Sequence, residues 1–270
     1  MTSESNDLAV SDIERRFGVI EKKPANCVEH GKFASIIRSN SETASGCPEC
    51  AAVIQRERDQ EEQRAMYARI AEERLERKLG ASLIPRRFQG KSFADYRAET
   101  QEQAKNLAAC VDYAEHFQQH LADGRCVVMT GKPGTGKTHL AAAIAGYVMT
   151  NTGATAVYRT VGSILTHIKG SYDTRAEYTE AEAFAALIKP SLLIIDEVGA
   201  TKPTEFELAT LFAIINGRYE EQLPTIVISN IDAKKLGEVL GERSVDRLRE
   251  GRGIGLVFEG VSERCKRAAQ

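Results

Sequence analysis

The chain has 270 residues, 42% of them hydrophobic and 27% charged, with a formal net charge of −2. That is enough chain to bury the core of one or two domains, and the near-neutral balance excludes a molecule whose whole field draws it to nucleic acid. The charged first twenty residues contain no apolar signal core, and no apolar run approaches the roughly 18 residues of a membrane span, so a cytoplasmic protein with reduced thiols is expected.

The first predicted segment, residues 1–52, has few long apolar runs and contains Cys27-x2-His30 and Cys47-x2-Cys50, two ligand pairs with sixteen residues between them. A two-residue gap lets both members of a pair face one ion from a tight knuckle, and two knuckles complete a tetrahedron, as Zn2+ prefers. Gly31 and the Gly46-Cys47-Pro48 run supply the turn chemistry that knuckles need. Four protein ligands leave no open coordination position, so the ion would be structural. It would also stabilise a segment too poor in apolar residues to fold alone. The alternative is a set of unrelated thiols in a disordered tail, and the residue types leave the choice among thiophilic ions open. The basic residues here (Arg15, Arg16, Lys22, Lys23, Lys32 and Arg38) are interspersed with acids, so a DNA-binding face is not indicated.

Residues 53–80 change character, being dense in Glu, Gln, Arg and Ala, without proline and with Gly80 placed as a C-cap. Met66, Ile70, Leu75 and Leu79 are too sparse for a sustained heptad. A solvated connector helix is predicted, with a coiled coil as the lesser alternative.

From residue 81 to the end, apolar runs alternate with helical periodicity. CVVMT (126–130), TAVYRT (155–160), LLIID (192–196) and TIVISN (225–230) read as strands buried on both faces, and HLAAAIAGYVMTN and EFELATLFAIINGRYEEQ as helices. This predicts an α/β fold with a parallel sheet between helices. Of the isolated cysteines Cys110, Cys126 and Cys265, Cys126 falls on a strand and reads as core.

The first strand runs into Gly131-Lys132-Pro133-Gly134-Thr135-Gly136-Lys137-Thr138 and then a helix, the GxxxxGK[ST] pattern in its proper context. The glycines let backbone N–H groups curl around the phosphates of ATP, and the helix N-terminus adds partial positive charge. Lys137 supplies a cation to the β- and γ-phosphates, and Thr138 a hydroxyl for Mg2+. LLIIDE then ends an apolar strand in Asp196, a second group for Mg2+, followed by Glu197, which can orient or deprotonate an attacking water. A pure binding site would not need that second acid, so an ATPase is expected. Asn230 closes TIVISN at the same sheet edge, where by itself it reads more readily as a turn former.

IPRRFQGKSFADY (84–96), GKPGTGKTHLAAAI (131–144), LLIIDEVG (192–199) and LGERSVDRLREG (240–251) together resemble the DnaC-type replicative helicase loaders, members of the AAA+ ATPases. IstB-type transposition helper ATPases share most of these blocks. The likeness runs from about Ser82 onward and implies an AAA+ core without a separate C-terminal lid. By position it makes Asn230 the sensor of the γ-phosphate, Arg247 an arginine finger reaching a neighbouring subunit's ATP, and Arg264 a sensor of the subunit's own nucleotide. Without the resemblance both arginines read as surface residues. The finger implies self-association, on a hexameric replicative DNA helicase gripped by the N-terminal region. The family also inserts a helix touching single-stranded DNA, which corresponds here to residues 161–178 with Lys169, Tyr172, Arg175 and Tyr178. An amphipathic helix and polar loop without a ligand is the alternative. The best-known loader pattern does not require the Cys/His motif. Transposition helpers, which bind and remodel duplex DNA, usually carry a helical segment in its place. A third alternative, an adaptor that binds nucleotide without hydrolysing it, is disfavoured by Glu197.

Overall fold

The computed structural model describes residues 8–41, 43–260 and 262. The chain divides into two compact units, Met1–Glu72 and Glu73–Gln270. This division falls within a helix, between the boundaries read from the sequence at 52/53 and 80/81.

In the first unit, helix α1 (Asp12–Arg16) starts on a reciprocal capping box between Ser11 and Glu14. Strands β1 (Val19–Cys27) and β2 (Gly31–Arg38) form an antiparallel hairpin whose register runs from Val19↔Arg38 to Cys27↔Gly31. Periodicity did not reveal this hairpin because the strands bury almost nothing: Val19 and Ser35 are their buried residues. Gly31 turns the chain with φ 77°, a conformation that costs a side-chain-bearing residue energy. Helix α2 (Pro48–Ala81) begins five residues earlier than predicted, with Pro48 at the first helical position. From Val53 to Glu72 its described side chains are exposed or half-exposed, as a solvated helix requires. Gly80 lies inside the helix rather than capping it. The Ser82 hydroxyl donates to the Leu79 carbonyl at 2.6 Å, and the left-handed residue that ends the helix is Leu83, φ 57°.

In the second unit, α3 (Gln101–Glu115) and α4 (Phe117–Ala122) precede β3 (Val127–Gly131), α5 (Lys137–Asn151), β4 (Ala156–Thr160), α6 (Val161–Gly170) and α7 (Glu180–Ile188). Next come β5 (Leu192–Val198), α8 (Glu205–Glu220), β6 (Thr225–Ser229), α9 (Leu236–Leu240), α10 (Glu242–Arg249) and β7 (Ile254–Phe258). The five strands form one parallel sheet in the order β4-β5-β6-β3-β7. Four were predicted; β7 escaped because its pattern alternates, with Gly255 and Val257 exposed.

Successive residues of each central strand enter different cores. Val127, Met129, Ile194 and Ile226 face the cluster built with α3 and α5, which includes Tyr113, Phe117, Leu140 and Ile144. Leu193, Ile195 and Val227 face the cluster built with α6 to α10. Burial on both faces makes β5 and β6 read as unbroken apolar runs.

Arg218 on α8 is fully buried and has no carboxylate partner among the described residues. Its Nε donates to Thr225 Oγ1, one terminal nitrogen to the carbonyls of Leu187, Ile188 and Pro190, and the other to that of Pro224, at 2.6–3.2 Å. The side chain thus caps the carbonyl end of α7 and ties it to the start of β6. Burial holds the guanidinium down at about 10.

Candidate functional site

All five strands are parallel, so their carboxyl ends share one edge, the place where open α/β sheets bind ligands. Gly131, Thr160, Asp196, Ser229 and Phe258 all lie along it.

The 131–138 loop leaves β3 and enters α5 through Gly136, φ 95°. Threonines 100, 160, 179 and 204 cap α3, α6, α7 and α8 with their side chains (the first to the N–H of Gln103, the last to that of Glu207), but α5 has no side-chain cap. Its first N–H groups therefore remain for an anion. Added Cβ atoms would destroy the cradle. At Gly131, φ 125°, one would stand 2.1 Å from the Phe258 carbonyl oxygen, and at Gly136 2.4 Å from the Tyr96 ring. Lys132 N donates to that same Phe258 carbonyl at 3.2 Å, and Ser262 lies against Gly134. Lys137 is buried, its ammonium donating to the carbonyls of Gly131 and Lys132 at 2.6 and 2.7 Å. Lys132 and Pro133 are exposed on the outer side of the loop, and the Thr135 hydroxyl donates to the Lys132 carbonyl at 2.8 Å.

Thr138 Oγ1 donates to Asp196 Oδ2 at 2.8 Å, which joins the two predicted Mg2+ groups across 58 residues. Tyr158, on β4, donates its hydroxyl to the same oxygen at 2.7 Å, and Glu197 N donates to Oδ1 at 2.6 Å. Glu197 takes φ 63°, unusual for a residue with a side chain, at an irregularity in β5–β6 pairing between Ile195 and Val198. The irregularity turns Glu197 out to solvent between buried Asp196 and Val198. Backbone irregularities of this kind concentrate at functional sites. Asn230 is exposed immediately beyond β6, whose last residue Ser229 pairs with Val198. The residues fit ATP·Mg2+: an uncapped helix start, a buried lysine, and a hydroxyl–carboxylate pair able to hold a hard cation.

Arg247 lies elsewhere. Its guanidinium sits 4.2 Å over the Tyr219 ring and 3.3 Å from Glu250, which also accepts a 2.8 Å hydrogen bond from the Tyr219 hydroxyl. It lines a cavity of about 350 Å3 with Gly124, Cys126 and Thr225, residues that precede or open β3 and β6. It is therefore at the amino edge of the sheet, opposite the 131–138 loop. Arg264 lies outside the described residues.

Lys169, Tyr172 and Arg175 are exposed on the end of α6 and the turn after it. Lys169 Nζ stands 5.3 Å over the Phe206 ring, and Tyr172 donates to Glu180 at 2.8 Å. Tyr178 is half-buried. Its ring stacks on His167 at 4.9 Å, its hydroxyl donates to the His167 carbonyl, and it packs on the apolar core, which leaves part of the side chain open.

In the first unit, Cys27, His30, Cys47 and Cys50 bring their ligand atoms within 4.8 Å of one another. His30 presents Nδ1, 3.3–3.8 Å from the three sulfurs, and Cys27 and Cys50 sulfurs are 3.6 Å apart. Ligands about 2.3 Å from a central ion at tetrahedral angles stand about 3.8 Å apart, so the cluster has the size of a zinc site. The N–H groups of His30 and Glu29 lower the Cys27 thiol to about 6, while its hydrogen bond to Cys27, with burial, raises Cys50 to about 12. A cation would relieve that crowding of thiolates.

Sequence reasoning missed Tyr96 and Tyr158. Tyr96 sends its hydroxyl to the Thr135 carbonyl at 3.2 Å and packs edge-on to His139. Nothing local marks either tyrosine, because each acts across tens of residues.

The IstB-like ATP binding protein model matches residues 37–248. The replicative helicase loader DnaC of Buchnera aphidicola subsp. Acyrthosiphon pisum is 35% identical over 71% of this chain and 76% of its own. That of Escherichia coli K12 is 30% identical over 72% and 77%. The chain belongs to the DnaC-type, IstB-like family of ATP-binding proteins. A DnaC helicase loader crystal structure superposes with TM-score 0.59 at 21% identity, over 65% of this chain and all of that one. The replication initiator DnaA bound to AMPPCP and single-stranded DNA does so at 0.53 and 19%, over 66% and 52%. These two likenesses establish the AAA+ fold. Among the described residues no helix is long and apolar enough to cross a membrane.

Proposed function

We propose that this DnaC-type protein is an ATPase that binds a hexameric replicative DNA helicase and delivers it onto single-stranded DNA, with hydrolysis driving release. In this reading the 131–138 loop holds the phosphates, and Mg2+ at Thr138 and Asp196 would neutralise charge on the phosphate oxygens. Glu197 orients the attacking water, and Asn230 reads the γ-phosphate. The observation that carries the reading is the pairing of Thr138 with Asp196 beside the strained Glu197, in a chain related to named helicase loaders. Arg247, at the far edge of the sheet from its own phosphate loop, would serve a neighbouring subunit, and so hydrolysis would require assembly. Arg264 would contact the subunit's own nucleotide; the contact of Ser262 with Gly134, two residues earlier, supports that role. Lys169, Tyr172, Arg175 and the half-buried Tyr178 are the proposed single-stranded DNA contacts. The zinc-binding first unit and α2 would grip the helicase.

The IstB-like match keeps a second reading in view, a transposition helper that binds and remodels duplex DNA. Size-exclusion chromatography with light scattering separates them. The full chain is mixed with the helicase hexamer in ATP·Mg2+ and then in ADP. A stoichiometric complex that is lost on deleting residues 1–80 supports the loader. No complex in either nucleotide refutes it for that helicase, and retention of a duplex in its place supports the helper.

A further inference from the structure

The Mg2+ half of the site has a component that neither motif contains. Asp196 is buried, and its Oδ2 accepts two hydrogen bonds, from Thr138 at 2.8 Å and from Tyr158 at 2.7 Å. Thr138 and Asp196 are the groups read as holding the ion. Tyr158 is a different kind of participant: it is 5% exposed, packed in the same apolar cluster as Ile194 and Leu140, and its hydroxyl has Asp196 as its hydrogen-bond partner.

Its position is fixed from several sides. Tyr158 pairs with Ile194 in β4–β5, two residues before Asp196 on the same face of the sheet. Its N–H donates at 2.7 Å to the carbonyl of Ser82, itself buried, directly after α2. That bond satisfies the outer side of an edge strand and sets the depth of the ring. A carboxylate with one oxygen fixed by a buried hydroxyl and the other by the Glu197 N–H has little freedom to rotate. Groups that fix a metal-holding carboxylate in this way typically change metal affinity by about 10- to 100-fold when removed.

We infer that Tyr158 is a positioning residue for Mg2+, holding the Asp196 carboxylate in the orientation that receives the ion alongside Thr138. This rests on the reading of the site as an ATP·Mg2+ site. It distinguishes Tyr158 from the surrounding core residues, whose loss would lower stability without regard to the ion.

The test is Tyr158→Phe, which removes one oxygen and adds no atom. Binding of a fluorescent ATP analogue to the full chain is titrated with Mg2+, and repeated in EDTA. The Mg2+ midpoint should rise about tenfold in the variant, with affinity in EDTA unchanged. An unchanged midpoint overturns the inference, as does an equal loss of affinity in EDTA, which would mean a distorted phosphate loop. Wild-type protein that binds no nucleotide, or binds it without regard to Mg2+, overturns instead the reading of the site itself. Should the phenylalanine variant fail to fold, 3-fluorotyrosine placed at position 158 gives a second readout. Its fluorine resonance should move when Mg2+ is added to the ATP-bound chain, and a resonance that stays put overturns the inference.

Discussion

Replacing Arg218 by Met removes all five hydrogen bonds of the buried guanidinium while nearly keeping its volume. One carbonyl, that of Leu187, is then left in fully buried surroundings, at about 1–3 kcal/mol, while that of Pro224 keeps the Leu193 N–H at 3.4 Å and loses about 1 kcal/mol. Those of Ile188 and Pro190 are part-buried and can recruit water, so they add about 0.5 kcal/mol each. Against this gross cost of about 3–5 kcal/mol stands the relief of no longer burying a cation without a carboxylate, which offsets part of it. A net loss of about 2 kcal/mol is expected, or a fall in Tm of about 4–8 °C for a unit of this size. Urea unfolding followed by circular dichroism and scanning calorimetry would measure it. An Arg218→Met chain as stable as wild type would refute the reasoning, because it would mean that desolvation of the guanidinium cancels its bonds.

Glu197→Gln should keep nucleotide binding and lower hydrolysis by at least about 100-fold in the assembled protein, and wild-type turnover would remove Glu197 from the chemistry. Purified protein should carry stoichiometric zinc by elemental analysis. Cys50→Ser should lose most of it and speed amide exchange along β1 and β2, whereas full zinc content in the variant would rule out a four-ligand site. Glu14, lowered to about 2 chiefly by its Lys22 partner and then by the Ser11 cap, has a folded value below its ordinary 4.5. Its support of α1 is therefore present above about 4.5 and lost as pH falls through about 2, which a carboxyl carbon titration by NMR would follow. A midpoint at the ordinary value would mean that the cap and ion pair do not persist in solution.

Much of this protein could be read along the chain. The phosphate loop and the DE strand end are local patterns, in which a few adjacent residue types meet one chemical demand. The buried strands declared themselves because two covered faces leave no polar alternation. The two ligand pairs were visible through their spacing, and the structure brings them to one point. Other features depended on how distant segments meet. The β1–β2 hairpin buries too little to leave a pattern, and Gly80 looked like a helix end until Leu83 took the left-handed turn two residues past the helix. Tyr178 and Tyr172 look alike in sequence. Stacking on His167 half-buries Tyr178, and Tyr172 stays exposed. The hydrogen bond from Tyr158 to Asp196 and the burial of Arg218 against four carbonyls are contacts across a folded sheet. Local residue order encodes the chemistry a segment can offer. Which groups share one carboxylate, or one buried cation, depends on packing between segments and has no local signature.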